Sequence, residues 1–180
     1  MKDVPLPQRL VRAVGESAIS EKLAAAQELL YRPILDWASQ SPFHTGVLGH
    51  SLHPSLTDLT LGSWVSASVL DVAGGPESRR GAMLLTGIGW VAAVPTALTG
   101  AADWAGMTGY DRRIGAVHAL GTDLAVFMQL GSLIARWRGH PAAGKWLGLA
   151  GNGIVAGAGF LGGHLALNRG TARRDSAART

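Results

Sequence analysis

The chain has 180 residues, 47% of them hydrophobic and only 16% charged, against about 25% charged in an ordinary globular domain. Cysteine is absent, which excludes a disulfide scaffold, a thiolate metal site, an iron–sulfur cluster and a cysteine nucleophile in this chain. Low charge with a positive mean hydropathy of +0.20 excludes disorder as the general state. The formal net charge is +4. Its basic residues (Arg112–Arg113, Arg136, Arg138, Lys145, Arg169, Arg173–Arg174) flank apolar stretches, where anionic lipid headgroups attract them, and no basic stripe is interleaved with aromatics. Nucleic acid is therefore not an expected partner.

Residues 1–20 hold no continuous apolar core of the kind a cleaved secretory signal needs. Over 1–51, Leu6, Leu10, Val14 and then Leu23, Ala26, Leu30 recur at helical spacing among charges. The spacing predicts two amphipathic helices, broken near Gly15 and ended at Pro33, that act as a lid over a bundle end or lie in the membrane interface. Four apolar segments follow, at about 54–73, 81–102, 114–137 and 146–167, each near the ~20 residues that cross a bilayer. The predicted fold is all-α: an integral membrane four-helix up-down bundle over 52–168, with the N-terminal amphipathic helices before it and a disordered basic tail at 169–180. Trp104, Trp137 and Trp146 stand at segment ends as interface anchors, Pro95 should kink the second segment, and Gly153-x-x-x-Gly157 and Gly159-x-x-x-Gly163 permit close helix approach. Gly87-Ile88-Gly89 and Gly151-Asn152-Gly153 fall inside apolar helices and read as packing glycines, not dinucleotide turns.

In an up-down bundle the first segment starts where the second ends, the third starts and the fourth ends. His53, Asp58, Asp103, His118 and His164 then fall at similar depth on the side of the termini, with His50 at the mouth. His44 and His140 lie in loops and read as surface residues. On the third segment His118, Thr122, Ala125, Gln129 and Ser132 form one stripe, expected to face inward; on the fourth, Gly153, Gly157, Phe160 and His164 share a face that leaves room for a flat group; on the first, Asp58, Gly62 and Ser66 form a small polar face. Four chemistries fit. The favoured one is a redox or cofactor-binding subunit in which His118 with His53 or His164 holds a b-type haem and Asp58 and Asp103 are hydrogen-bonding or proton partners; alternatively His50, His53, His118, His164, Asp58 and Asp103 can supply a transition-metal site, His and Asp can relay protons, or the same groups serve only as interhelical hydrogen-bonding glue, with no cofactor. No hydrolase motif, P-loop or H-E-x-x-H signature is present, so catalysis is not the expected role.

The blocks GHSLHPSLTDLTLGSWVSASVLD (49–71), LTGAADW (98–104), RRIGAVHA (112–119) and GGHLALNRG (162–170) resemble the bacterial membrane family called domain of unknown function 2231, in order over about 47–170. Family-typical positions fall on His50, His53, Pro54, Asp58, Asp71, Asp103, Trp104, Arg113 and His118. The resemblance implies four transmembrane helices in a bacterial inner membrane, with no established activity. Its branch often carries a Rieske-type ferredoxin domain, which implies electron transfer. Without cysteine in this sequence, a Rieske-type partner is expected to be another polypeptide or absent, and LALNRG departs from the family's usual last block. The expected partners are the lipid bilayer, such a redox protein and a second copy of the chain, with the termini in the cytoplasm.

Overall fold

A computed structural model describes residues 5–41 and 50–171. His44 and residues 172–180 of the expected basic tail lie outside them. Among the described residues the chain is all-helical, with no strand. Six α-helices follow one another: α1 (Leu6–Glu16), α2 (Ala18–Gln40), α3 (His53–Ala73), α4 (Arg79–Ala105), α5 (Gly109–Trp137) and α6 (Pro141–Gly163), the last running into a single π-helical turn, His164–Asn168.

The helix ends follow local chemistry. Ser17 separates α1 from α2 because its hydroxyl accepts the Ile19 amide at 3.1 Å, an N-cap. Pro54 occupies the first turn of α3, where its missing N–H costs nothing. Gly139, at φ 82°, ends α5: the His140 amide reaches Ala135 O at 2.8 Å and the Gly139 amide reaches Arg136 O at 3.1 Å. This left-handed turn favours glycine, and Pro141 then starts α6. One expectation fails at a proline. Pro33 does not end α2, which runs through it to Gln40; Pro33 lies on the exposed side of the helix, where a carbonyl deprived of its partner can be solvated. Pro95 lies inside α4, which continues on both sides of it.

Contacts divide the protein into two compact units. One gathers the described residues within 1–51, 99–120 and 158–180; the other comprises 52–98 and 121–157. In the first unit Ala24 and Leu35 of α2 pack on Trp104 and Ala116, and Val11 of α1 packs with Ile114 and Leu165. Trp104 is thus a core residue and not an interface anchor; Trp137 and Trp146 are exposed.

The second unit buries polar side chains (Thr60, Ser63, Thr86, Gln129, Ser132 and Arg136) beside Trp64 and small apolar ones such as Ala67, Ala92 and Ala125, whereas Leu59, Val65, Leu84, Val91, Leu124 and Phe127 are exposed. Two helical segments are long and apolar enough to cross a membrane: Pro76–Ala105, of 30 residues and mean hydropathy 1.6, and Gly109–Trp137, of 29 residues and 1.3. The α3 and α6 helices, of 21 and 23 residues, are of spanning length; aspartates in α3 and Lys145, Asn152 and glycines in α6 keep their hydropathy lower.

Candidate functional site

The stripe expected to face inward on α5 does so. Ala125, Gln129 and Ser132 are buried, and the pattern extends one turn further to Arg136, 8% exposed. On α6 it meets Gly144, Gly148 and Gly151. A Cβ at Gly144 would stand 2.5 Å from Arg136 Cγ and 3.0 Å from Ser132 O, and one at Gly148 would stand 3.3 Å from Ser132 Oγ. Missing side chains on α6 thus make the groove in which the polar side chains of α5 lie. The Arg136 guanidinium grips Asp71 of α3 with two bonds, Nη1–Oδ1 at 2.8 Å and Nη2–Oδ2 at 2.5 Å, and its Nε donates to Ser132 Oγ at 3.2 Å. Ser132 Oγ donates to Gly144 O at 2.6 Å. Gln129 Nε2 donates to Asn152 Oδ1 at 2.9 Å, and Asn152 Nδ2 donates to Ser68 Oγ at 2.7 Å and Trp64 O at 3.0 Å. This network ties α3, α5 and α6 together. Sequence reasoning assigned Arg136 to lipid headgroups; it is instead the buried counter-ion of Asp71. The available signal was that Arg136 falls four residues beyond Ser132 on the same stripe.

The glycine faces are the reverse of the expected ones. Gly153 and Gly157 are exposed, with no described heavy atom within 4 Å of a Cβ position, and Phe160 beside them is exposed too. The close approach uses Gly144, Gly148, Gly151 and Gly162. On α3 the polar face Asp58, Gly62, Ser66 is likewise exposed, and Thr60, Ser63, Trp64 and Ala67 point inward.

The sequence-designated ligands divide between the units: His53 and Asp58 belong to the second, His50, Asp103, His118 and His164 to the first. Two of the imidazoles are held in the same way. His53 Nδ1 donates to Thr96 O of α4 at 2.9 Å, and His118 Nδ1 donates to Ala158 O of α6 at 2.8 Å. A carbonyl can only accept, so in each neutral ring Nδ1 carries the proton and Nε2 the lone pair. The His118 ring lies against Gly162, whose Cβ would come 2.8 Å from Cε1. Gly159 and Gly163, adjoining the two residues that touch the ring, have no described heavy atom within 4 Å of a Cβ position. His164 opens the π-helical turn. His50 lies before α3, so no helical His50/His53 pair forms; its Nδ1 bonds Ser51 O at 3.0 Å. Asp103 accepts from the hydroxyl of buried Ser51. Among the described residues no group of three or more His, Asp or Glu could hold a metal ion, so a non-haem centre has no ligand set there.

A Gly162→Ala substitution is expected to cost about 1–3 kcal/mol by overpacking the His118 ring. Chemical denaturation of the variant, alone and in a His118→Ala background where the cost should largely vanish, checks this contact.

Around the first unit, Arg112 pairs with Glu21 at 2.9 Å and with Glu28, and Arg113 pairs with Glu21 at 3.0 Å while donating to Gly15 O at 2.5 Å. These arginines fasten α1 and α2 to the start of α5. Arg169 bridges Asp111 at 2.7 Å, and that carboxylate raises the guanidinium pKa further, so the bridge has no titration of its own on the arginine side near neutral pH. A cleft of about 240 Å³ in this unit is lined by Glu28, Arg32, Leu35, Asp36, Trp104 and Arg112, among others; among the described residues no histidine lines it. No family model, curated protein or solved structure matches the chain.

Proposed function

We propose that the chain is an integral membrane protein, with α3–α6 as four spans in a bacterial inner membrane and the termini in the cytoplasm, and that it serves as a cofactor-binding electron-transfer subunit for b-type haem. Two features support the membrane part: Gln129, Ser132 and Arg136 bond to partners inside the second unit, and Leu59, Val65, Leu84, Val91, Leu124 and Phe127 are exposed and left for lipid. The observation that carries the cofactor part is the state of His118. Its Nδ1–H is fixed on a backbone carbonyl, the outer contact that orients a ligating imidazole. His53 is braced identically within its own unit. Bound haem supplies one-electron chemistry; the residues set ring orientation and basicity. The sequence resemblance to domain of unknown function 2231 supports a Rieske-type redox partner.

A second reading has an observation of its own. The same bonds, His118 to Ala158 O and His53 to Thr96 O, join neighbouring helices without any ligand, which suits a structural or assembly protein. One measurement separates them. Protein purified in mild detergent from haem-replete cells is expected to show a Soret band, lost in His118→Ala. A colourless, metal-free preparation overturns the cofactor reading and favours the structural one.

A further inference from the structure

We propose that α2 lies in the plane of the membrane surface, inserting the side that bears Leu30, Ile34 and Trp37 between lipid headgroups; this rests on the reading of α4 and α5 as spans. At about 3.6 residues per turn α2 has three sectors. Ser20, Ala24, Gln27, Leu35 and Ala38 form the buried one. Glu21, Glu28, Arg32 and Asp36 share the next. Ile19, Leu30, Ile34 and Trp37 form the third, and all four are exposed, Leu30 at 71%.

The level of α2 along the spans is fixed by its contacts. Ala24 and Leu35 pack with Trp104, the last residue but one of α4, and Glu21 and Glu28 bind Arg112, in the first turn of α5. The α4–α5 connection is where two spans leave the hydrocarbon, so α2 is held at the water–lipid boundary. A helix at that level, with charges on one flank and large apolar side chains including a tryptophan on another, matches a surface-lying amphipathic helix. Residues 5–40 carry Arg9, Arg12, Lys22 and Arg32 against Glu16, Glu21, Glu28 and Asp36, so charge does not select anionic lipid. The partner is the apolar boundary of the bilayer itself, and the contact should be indifferent to anionic lipid and to salt.

The absence of cysteine makes single labelling direct. Bimane-labelled Leu30→Cys, Ala25→Cys and Val91→Cys variants of the full chain are reconstituted in phosphatidylcholine vesicles, with and without phosphatidylglycerol. The Leu30 label is expected to lose emission to a shallow doxyl lipid more than to a deep one, equally in both lipid mixtures. The Ala25 label, on the charged flank and exposed, should instead lose emission to aqueous iodide. Iodide quenching of the Leu30 label without lipid quenching overturns the proposal, and the spanning reading survives if the Val91 label is still quenched by the deep doxyl lipid. Lipid quenching of both α2 labels overturns a surface-parallel α2 as well. A Val91 label open to iodide overturns both readings.

Discussion

Replacing Asp71 with alanine should lower stability by about 3–5 kcal/mol, because it strands the Arg136 guanidinium without its counter-ion. Both side chains are almost wholly buried, at 4% and 7% exposure, and the bonding is bidentate. Arg136→Ala should cost a similar amount from the other side. The paired exchange Asp71→Leu with Arg136→Met removes both charges together and should recover most of the loss, since a buried ion pair replaced by apolar groups of similar volume is often neutral. Reversible denaturation of the four proteins in detergent measures the cycle. A recovery confined to the double variant identifies the pair, and not either residue's packing, as the source of the effect.

The second large effect is a contrast between two glycines of α6. Gly144→Leu should destabilise by about 3 kcal/mol, since the new side chain meets Arg136 Cγ and the Ser132 main-chain oxygen, and the latter cannot rotate away. Gly153→Leu should not destabilise, because that side of the helix faces open space and leucine is the better helix former by about 1 kcal/mol. The sequence pattern ranks them the other way, placing the close contact at Gly153 and Gly157. The same denaturation assay decides: equal losses at both sites would contradict the packing face described for α6.

That contrast shows where a membrane-type sequence is legible. Long apolar stretches bounded by Gly, Pro and charge located the helical segments, since backbone groups in such stretches must bond internally. Facing was legible on α5 alone, where Gln129 and Ser132 stand out from an apolar background and only the interior can satisfy them. It was not legible on α3 and α6. Apolar residues occur on both the buried and the exposed sides of these helices, so hydrophobicity does not mark the inward side, and glycine marks a helix contact only where a neighbour fills its groove. Gly144 and Gly148 have such a neighbour in Arg136 and Ser132; Gly153 and Gly157 do not. The Asp71–Arg136 pair, 65 residues apart in sequence, needed the three-dimensional arrangement to be seen. Of the candidate ligands, His53 and His118 proved to be fixed at Nδ1 by neighbouring helices, whereas Asp58 is exposed and His50 precedes α3.

The membrane reading of the four long helices is tested most directly by nitroxide accessibility at one exposed mid-helix position on each: Val65, Val91, Phe127 and Ala156, labelled singly through introduced cysteines in vesicles. Embedded spans require collisions with oxygen to dominate over those with a water-soluble nickel chelate at all four positions. Nickel-dominated collisions at these sites would mean that water, not lipid, covers the apolar side chains, and would contradict the account.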